Sequence, residues 1–455
     1  MPDALPLRLP LLAMPDNRDT TSTKDAKLVN GYVEKVGERD YWIFKRPGLT
    51  QFHSFGPGVG RGLYLWKDHL YSVFGDTLLK DFTPLMTVSN AGLYSFTQTQ
   101  GVPDYLFMQN GLAAYVYDGT TVTQVASNYP AITCYGSCFL DSTLYVMDPQ
   151  SNIWGSDLNN PLSWDALNVI QARAEPDIAV ALAKQLVYVV ALKTWSTQFF
   201  YDAANAVGSP LLPVPAANIP YGCANGYSLQ DIDGTLFWLS RNRSSAVQVI
   251  ACNALKPTVI STKPVERLLS TADLTDMRSW YRKNRGHIMY GLTIPASNLT
   301  LVYDLSENIW SQWTDSQGNF LPIAAAIYTY TLEHYIQHTS NGTTYTMDQE
   351  FLTDDGSIIT LDLVTPNFDA GTRYTKYLST MEFIADQVPG SSLQVRYSDD
   401  DYQTWSNFRS VPLGNRRPML TDCGSFRRRA WNLRHHAATR FRLQAVDLSL
   451  LLGTV

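Results

Sequence analysis

The segment Tyr115-Val116-Tyr117-Asp118-Gly119-Thr120 is one of four places where an apolar, aromatic-rich run ends in an aspartate and passes into a turn. The other three are Leu63-Tyr64-Leu65-Trp66-Lys67-Asp68, Phe199-Phe200-Tyr201-Asp202 and Leu301-Val302-Tyr303-Asp304-Leu305. The phrase has no helical periodicity, and short strands that return every few tens of residues are typical of blade-like units. The sequence therefore predicts a β-propeller.

Six candidate blades follow one another after residue 50, at irregular intervals that are mostly about 40 to 55 residues, which is near the length of a propeller blade. They begin near residues 60, 105, 137, 186, 233 and 287, and residues 335–347 form a candidate seventh. Residues 265–282 break the pattern because their apolar positions lie three and four apart, which predicts one or two short helices between blades. We predict an irregular propeller of six blades, with a seventh as the open alternative, over residues 50–365.

The two ends of the chain differ from this central region. Residues 1–49 are predicted as an extended N-terminal arm with first strands, because 16–25 is polar and irregular and Asn30-Gly31 is a turn dipeptide before a strand. Residues 366–455 are predicted as a small C-terminal antiparallel β module, either separate or rejoined to the propeller. Aromatic residues make up 12% of the chain and charged residues only 17%, which favours a mainly β protein.

Composition also limits the function. The formal net charge is -6, so the chain lacks the basic surface of a protein that grips nucleic acid through its phosphates. The five cysteines are odd in number and sparse, which favours reduced thiols in a protein made in a cytosol. The N-terminal segment lacks the pattern of a signal peptide, and no apolar run reaches the roughly 20 residues of a membrane span, so we expect no membrane insertion.

No catalytic motif stands out. The sequence contains no nucleophile elbow, phosphate-binding loop or dinucleotide fingerprint. The seven histidines are scattered, and we interpret them as surface or turn residues. We therefore expect no catalytic residues, no cofactor and no metal site.

An acidic run near the C-terminus has a recognisable neighbourhood. Ser398-Asp399-Asp400-Asp401-Tyr402-Gln403-Thr404-Trp405 resembles the Asp-box of sialidases and related proteins, Ser-x-Asp-x-Gly-x-Thr-Trp, with Tyr402 in place of glycine. In that family the box is a folding element of a hairpin that lies away from the catalytic centre. The resemblance implies a structural hairpin that contains Ser398, Asp400, Thr404 and Trp405. Adjacent strand residues point to opposite faces, so a solvated turn is favoured over a glycosidase-like carboxylate pair.

A basic block follows at Arg427, Arg428, Arg429 and Arg434, with Phe426 and Trp431 among them. Guanidinium groups suit the geometry of phosphates, so this block is a candidate contact to a nucleic-acid backbone. Pairing with acidic residues of a neighbouring subunit is an equally good interpretation on an acidic chain. Both interpretations stay open at the level of sequence.

The order of motifs along the whole chain resembles a known family. The motifs are Asn30-Gly31-Tyr32-Val33-Glu34-Lys35, Lys45-Arg46-Pro47-Gly48-Leu49, Gly60-Arg61-Gly62, Gly286-His287-Ile288-Met289-Tyr290-Gly291, Leu301-Val302-Tyr303-Asp304, Trp310-Ser311-Gln312-Trp313, Val395-Arg396-Tyr397-Ser398 and Arg427-Arg428-Arg429-Ala430-Trp431. Together they resemble the packaged-DNA stabilization proteins of short-tailed bacteriophages, the tail hub or nozzle that closes the portal channel.

The resemblance implies a structural virion protein and not an enzyme. In that family, copies form a ring, usually a hexamer, below the portal and its adaptor ring, and they bind tail fibre or spike and needle proteins. We therefore expect a homo-oligomer in the phage tail, made in the bacterial cytoplasm, through which the viral DNA passes without sequence-specific binding. The alternative hypothesis is a carbohydrate-binding or glycan-hydrolysing propeller, because many Trp and Tyr side chains are available to stack on sugars.

Overall fold

The computed structural model describes residues 6–12, 26–36, 40–205, 207–214, 217–243, 247–329 and 333–453. The polar segment 16–25 of the predicted arm lies outside these ranges. The described chain is mainly β and contains a β-propeller, as the sequence predicts. The described residues form eight sheets, and one of these is shared between the propeller and a second module.

Six blades are four-stranded antiparallel units of consecutive strands, in which the first strand lies at the centre of the ring and the fourth at its rim. The strands of blades 1 to 3 are Gly60–Trp66, His69–Phe74, Thr77–Lys80 and Thr83–Thr87; Ser95–Gln98, Leu106–Gln109, Ala114–Tyr117 and Val122–Gln124; and Cys138–Leu140, Thr143–Met147, Asn152–Asp157 and Asn160–Gln171. Those of blades 4 to 6 are Ala179–Gln185, Tyr188–Lys193, Thr197–Asp202 and Leu211–Pro213; Gln230–Ile232, Thr235–Ser240, Gln248–Asn253 and Lys256–Val259; and Arg278–Asn284, His287–Ile294, Leu299–Asp304 and Ile309–Gln312.

A seventh sheet lies between blades 6 and 1 and closes the ring. We call it blade 7; its first three strands are Ile323–Tyr328, His334–His338 and Thr343–Asp348, and its fourth is Gly48–Ser54 from the N-terminal part of the chain, with the short strands Thr353–Asp354 and Ser357–Ile358 beyond it. A Cβ atom at Gly48 would lie 2.2 Å from the carbonyl oxygen of Thr353, so only glycine permits this close approach. The candidate seventh blade is therefore present, and it is completed by a strand that starts in the last two residues of the predicted arm.

In three of its four occurrences the aspartate of the sequence phrase ends or follows the third strand of a blade, whereas Asp68 lies in the turn after the first strand of blade 1. Asp118, Asp202 and Asp304 follow or end the third strands of blades 2, 4 and 6. The carboxylate of Asp118 accepts hydrogen bonds from the N–H groups of Thr120 and Thr121, both at 2.7 Å. Asp202 and Asp304 accept in the same way from the residue two positions further along, at 2.7 Å and 3.0 Å. In these three blades the phrase recurs because the third strand ends in a turn that the aspartate side chain closes.

The region 265–282 contains one α-helix among the described residues, Lys263–Thr271, with a proline in its first turn. The apolar side chains of Val265 and Leu269 are buried against blades 5 and 6. The second short helix that the spacing allows is absent there, because Arg278–Asn284 is the innermost strand of blade 6. The helix is thus a connector between two blades.

The remaining strands form a β-sandwich that draws on both ends of the chain. One sheet contains Gly31–Val36, Asp40–Lys45, Arg442–Leu452, Lys376–Ala385 and Met419–Thr421, with Pro6–Arg8 and Ser425–Phe426 at its margins. The other contains Lys27–Val29, Thr360–Val364, Ala430–His436, Ser392–Ser398 and Arg409–Pro412. Their facing sides share one apolar core, in which Leu28, Val33 and Ile43 pack with residues from beyond position 360.

The sandwich and the propeller share a sheet. Lys27–Val29 pairs in parallel with Ile309–Gln312, the outermost strand of blade 6, and in antiparallel with Thr360–Val364 of the sandwich. Nine strands therefore run without interruption from the centre of the propeller into the sandwich. The strands of the predicted C-terminal module therefore share one core with strands from the N-terminal part of the chain, and one of their two sheets continues blade 6.

Candidate functional site

The basic block and the acidic run predicted from the sequence lie side by side in the sandwich. The strand Ser392–Ser398, which precedes the acidic run, pairs with Ala430–His436, which follows the arginines, and Ser398 lies opposite Ala430. The two charged motifs, about 30 residues apart in the chain, therefore meet at one end of the sheet. The geometry makes them partners of each other.

Arg429 is the centre of this arrangement and is only 2% exposed. Its guanidinium donates two hydrogen bonds to the carboxylate of Asp399, at 2.6 Å and 2.8 Å, and two more to the carbonyl oxygens of Cys423 and Ser425, at 2.7 Å and 3.2 Å. The ring of Tyr397 lies 3.8 Å from its central carbon. This is a bidentate pair with aromatic stacking, the setting in which arginine is least replaceable.

Two further arginines are paired within the chain. Arg428 binds the carboxylate of Asp401. Arg434 donates to both oxygens of Asp362, at 2.9 Å and 3.0 Å. Arg427 is exposed, and its guanidinium has no hydrogen bond or ion pair within the described part of the chain. Three of the four candidate contact residues thus already hold a carboxylate, which leaves little free positive charge for phosphate.

The Asp-box-like segment forms a tight turn. One carboxylate oxygen of Asp400 accepts hydrogen bonds from the Ser398 hydroxyl at 2.8 Å and from the Thr404 N–H at 2.9 Å. The Ser398 hydroxyl oxygen accepts from the N–H of Tyr402 at 3.0 Å. The hydrogen bonds from Thr404, followed by that from Ser398, lower the pKa of Asp400 to about 2. Asp400 is therefore ionised at neutral pH and holds the turn.

Trp405 ends this turn, and the guanidinium of Arg396 lies 5.0 Å from its ring. Asp399, Asp400 and Asp401 bind three different partners, which are Arg429, the turn itself and Arg428. A glycosidase needs two carboxylates that face one substrate, and this acidic run supplies no such pair. The arrangement is that of a structural hairpin.

The propeller has a central cavity of about 700 Å³, lined by the first strands of all seven blades. At one end, Tyr227 reaches from the segment between blades 4 and 5 to the segment between blades 1 and 2, where its hydroxyl oxygen accepts a hydrogen bond from the Leu93 N–H at 3.4 Å. The ring of Tyr135 packs edge-on against Tyr227, with ring centres 5.1 Å apart. The two tyrosines cross the axis, so the cavity is not a passage through the propeller.

The charged groups that line this cavity balance one another. Arg61 and Lys184 are basic, and Asp231 and Asp233 are acidic. Lys184 donates to the carbonyl oxygen of Phe139 at 2.8 Å, and Arg61 donates to that of Gly92 at 2.7 Å. Burial raises the pKa of Asp231. A space of about 700 Å³ with balanced charges therefore offers no basic surface for a nucleic acid.

A buried polar network lies where the propeller meets the sandwich, and its first member is Asn30. This side chain is fully buried and its backbone has a φ of 54°, which asparagine tolerates better than most residues. Its amide nitrogen donates to the Thr314 hydroxyl at 2.8 Å and to the Thr360 carbonyl at 2.9 Å. Its amide oxygen accepts from the Thr314 N–H at 2.7 Å. Asn30 thereby joins the rim of blade 6 to the sandwich.

Arg46 is the second member and is 2% exposed. Its Nε–H donates to the Asn30 oxygen at 2.9 Å, and its other N–H groups reach the carbonyl oxygens of Pro47 and Thr314, both at 2.9 Å, and both oxygens of Asp354. All five donors of the guanidinium are used. The sequence showed Asn30-Gly31 as a turn signal, but it gave no sign that Asn30 and Arg46 would contact Thr314, Asp354 and Thr360, which lie 268 to 330 residues further along the chain.

Three histidines predicted as surface or turn residues are buried in strands instead. His287, His334 and His435 are 6%, 7% and 0% exposed. The interpretation of these histidines as surface residues was wrong because they are scattered along the sequence, so no periodic pattern indicated that they are buried. The five cysteines are all buried and form no disulfide, and burial raises the pKa of each thiol.

Within the described ranges, no three His, Cys, Asp or Glu side chains are grouped so that they could hold a metal ion. No helix in that part of the chain has both the length and the apolar character needed to cross a membrane.

A propeller with a closed axis, fixed to a sandwich whose charges are paired internally, defines a rigid β scaffold. A sequence profile described as "Bacteriophage P22 Gp10, beta-propeller" matches residues 16–351, which is more than half of the chain. The chain belongs to this family, the packaged-DNA stabilization or tail hub proteins of short-tailed bacteriophages. It is a structural, DNA-stabilising protein of a phage tail. No curated protein sequence matches the chain.

Several solved structures resemble the fold. The extracellular domain of the putative hybrid two-component system BT4673 from B. thetaiotaomicron is 8% identical with a TM-score of 0.43, over 66% of this chain and 39% of that chain. The RRP9 WD40 repeats are 9% identical with a TM-score of 0.43, over 67% of this chain and 99% of that chain. The N-terminal domain of Nup159 is 13% identical with a TM-score of 0.40, over 71% and 98%. At these TM-scores the three structures carry no information about function.

Proposed function

We propose that this protein is the hub, or nozzle, of a short phage tail. Six copies form a ring below the portal and its adaptor ring, retain the packaged DNA, carry the tail fibre or spike and needle proteins, and surround the channel through which the genome leaves. The observation that carries the proposal is the family match over residues 16–351.

The closed axis of the propeller supports a particular path for the DNA. Because Tyr135 and Tyr227 cross the central cavity, the channel of such a ring runs between copies and not through a propeller. Each copy then presents an outer surface to the genome. On a chain with a net charge of -6, that surface repels phosphates, which favours release over retention by adhesion.

The shared sheet supports a mechanical role for the two modules as one body. Nine strands connect blade 6 with the sandwich, and Asn30 and Arg46 fill the junction with satisfied hydrogen bonds. Relative motion of the modules would break these buried bonds, which is costly. A rigid body of this kind suits a part that holds several virion proteins in register.

A mass measurement tests the proposal directly. We expect the purified chain to assemble into a six-copy ring, either alone or when the purified adaptor ring of the same virion is added, because a ring can require its neighbour. Analytical ultracentrifugation with and without the adaptor gives the copy number. A chain that stays monomeric and does not bind the adaptor contradicts the hub role.

Binding of the fibre or spike and needle proteins is the second part of the test. The assembled ring should capture each of them, whereas the free adaptor should not. Capture by the adaptor alone would assign attachment to another protein and overturn this part of the proposal.

A further inference from the structure

The surface of the sandwich carries a group of exposed aromatic and apolar side chains. Tyr374 and Tyr377 are each 54% exposed, and Leu451 and Leu452 are 41% and 60% exposed. Tyr377 lies opposite Leu451 on the neighbouring strand, and Tyr374 lies in the segment that leads into the Tyr377 strand. Exposed apolar groups of this kind mark surfaces that other proteins cover.

Two arginines border this apolar group. Arg373 precedes the first of the two tyrosines, and Arg427 follows a short strand that pairs with the start of the Tyr377 strand. The buried ammonium of Lys376 donates to the carbonyl oxygen of Arg427 at 2.7 Å and to that of Thr372, so it holds both backbone segments beside the apolar group. Both arginines are exposed, and no carboxylate of the described residues pairs with either.

An apolar centre with tyrosine and arginine around it is the composition of a protein–protein interface. The sandwich patch is defined here as Arg373, Tyr374, Tyr377, Arg427, Leu451 and Leu452.

A second exposed apolar group lies on blades 2 and 3 of the propeller. Val102, in the loop after the first strand of blade 2, is fully exposed, and Leu158, in the last turn of blade 3, is 71% exposed. A Cβ atom at Gly101 would lie 2.9 Å from the side-chain oxygen of Asn159, so the loop and the turn are in contact. The two apolar side chains are therefore carried by adjoining segments.

Two aspartates border this second group. Asp141 lies in the neighbouring turn of blade 3, because the Asn159 N–H donates to the carbonyl oxygen of the residue after Asp141 at 2.8 Å. Asp68 of blade 1 lies beside the blade 2 loop, because Lys67 pairs with Asp104 of that loop at 2.6 Å. Asp68 and Asp141 are exposed, and no basic side chain of the described residues pairs with either.

The propeller patch is defined here as Asp68, Val102, Asp141 and Leu158. It complements the sandwich patch, because both have an apolar centre and one is bordered by aspartates where the other is bordered by arginines. The sandwich continues blade 6, and in a ring of seven blades the two that lie opposite blade 6 are blades 2 and 3. The two patches of one copy therefore lie on opposite sides of the molecule and cannot bind each other.

We infer that the propeller patch of one copy binds the sandwich patch of the next copy. The inference rests on the proposed ring and states which surfaces form it. The two apolar centres face each other, and Arg373 and Arg427 pair with Asp68 and Asp141. Because the contact joins two different surfaces, every copy binds one neighbour through each patch, and such a head-to-tail contact produces a closed ring when the rotation between copies closes.

The test mixes two variants of the full chain, each with one patch changed. Tyr374→Ala with Tyr377→Ala removes the aromatic centre of the sandwich patch, and Val102→Arg sets a guanidinium against Arg373 and Arg427. In analytical ultracentrifugation, with and without the purified adaptor ring, each variant alone should associate with itself about a hundredfold more weakly than the unsubstituted chain. The mixture should form one-to-one pairs, because the intact propeller patch of the first variant binds the intact sandwich patch of the second.

Matched controls separate this contact from a general effect of charge. Arg427→Glu should weaken association about tenfold, whereas Arg416→Glu, at an exposed arginine of the sandwich outside the patch, should not. Asp141→Arg should likewise weaken association, whereas Asp76→Arg, in a turn at the other end of blade 1, should not. Melting temperatures equal to that of the unsubstituted chain show that each variant is folded.

Each other outcome counts against the inference or against the hub role. Rings of normal size from either patch variant, or no pairing in the mixture while the unsubstituted chain forms rings, would overturn the inference and leave the hub role intact. The same holds if the tyrosine variant forms rings but no longer captures a fibre or spike protein or DNA, because the patch then serves that partner. Open chains that form through the two patches and bind no adaptor would support the inference and contradict the hub role.

Discussion

The propeller and the sandwich hold their charged side chains in different ways. In the propeller, aspartates such as Asp118 close the turn that they start and accept hydrogen bonds from the next few residues. In the sandwich, Asp399 and Asp362 bind arginines 30 and 72 residues away. A turn of the first kind serves one blade, whereas a pair of the second kind fixes two distant strands against each other. Removal of a charged side chain should therefore destabilise only the local turn in the propeller, whereas in the sandwich it should destabilise the whole module.

The largest effect is expected at the junction of the two regions. Arg46→Ala leaves the carboxylate of Asp354 without its guanidinium partner and the amide oxygen of Asn30 without one of its two donors, and we expect the free energy of unfolding to fall by about 3–5 kcal/mol. Urea unfolding followed by tryptophan fluorescence and by circular dichroism measures the change. The substitution should also separate the unfolding of the two modules.

A control for this prediction is Arg440→Ala. Arg440 pairs with Glu350 on the surface, where its side chain is 70% exposed, so its loss should cost less than about 1 kcal/mol. If the two substitutions have equal effects, the junction does not couple the modules.

The second prediction concerns the loss of stability when each of two neighbouring arginines in the sandwich is replaced. Arg429→Ala removes four hydrogen bonds from a buried guanidinium, and we expect a loss of about 2–3 kcal/mol because Asp399 keeps access to water. Arg428→Ala breaks an exposed pair and should cost less than about 1 kcal/mol. Urea midpoints of the two variants test the difference. Equal midpoints would mean that burial of Arg429 adds nothing.

The same contrast explains what the sequence could predict. Turn-closing aspartates act within a few residues, so four occurrences of the phrase were enough to predict a propeller, and the spacing of the strand runs was enough to place six blades and a candidate seventh. The fourth strand of blade 7 was missed because Gly48–Ser54 pairs with Thr343–Asp348, almost 300 residues away. Nothing local in either strand indicates that partner.

The site was predicted less well for the same reason. The sequence located the arginines and the Asp-box-like hairpin, but the partners of Arg429 and Arg434 depend on which strands lie side by side. The interpretation offered for these arginines was a contact to phosphate or to another subunit, and the structure has three of them bound within the chain.

The third predicted effect concerns two buried histidines, His435 and His287, whose contributions to stability should change with pH in opposite directions. In the sandwich, burial, followed by the nearby charges of Lys45 and His436, lowers the pKa of His435 to about 3. Its ring bonds the Ser391 hydroxyl at 2.8 Å, lies 3.3 Å from the Thr439 hydroxyl and stacks on Phe441. A histidine in the unfolded chain has a pKa of about 6.5. Neutral His435 therefore makes its whole contribution to the free energy of unfolding above pH 6.5, and this contribution is lost as the pH falls towards 3. At pH 5 the free energy of unfolding should be lower by about 2 kcal/mol.

His435→Gln checks this effect, because glutamine keeps a polar group and does not titrate. The variant should lose less stability than the unsubstituted chain between pH 7 and pH 5 in urea unfolding. An unchanged pH profile would contradict the assignment.

His287 in blade 6 provides the opposite case. Burial lowers its pKa, but the hydrogen bond from its ring to Asp304 and the charges of Asp304 and Glu34 outweigh burial, so the pKa is raised. The contribution of His287 to the free energy of unfolding is present below the pKa of about 6.5 that histidine has in the unfolded chain. This contribution is lost as the pH rises through the pKa of His287 in the folded chain. His287→Gln should therefore destabilise more at pH 5 than at pH 8.

The smallest effect is expected on the binding of DNA. Arg427 is the exposed member of the basic block, while Arg428, Arg429 and Arg434 hold carboxylates of the same chain. We expect the purified protein to bind duplex DNA weakly, with little dependence on salt, and Arg427→Ala to leave that binding unchanged. Fluorescence anisotropy at several salt concentrations measures both, because each lost phosphate contact changes the slope of log affinity against log salt by about 0.9. Sub-micromolar binding that falls with Arg427→Ala and with salt would show that the sandwich offers its arginines to the genome and that their pairing with Asp399, Asp401 and Asp362 gives way to phosphate.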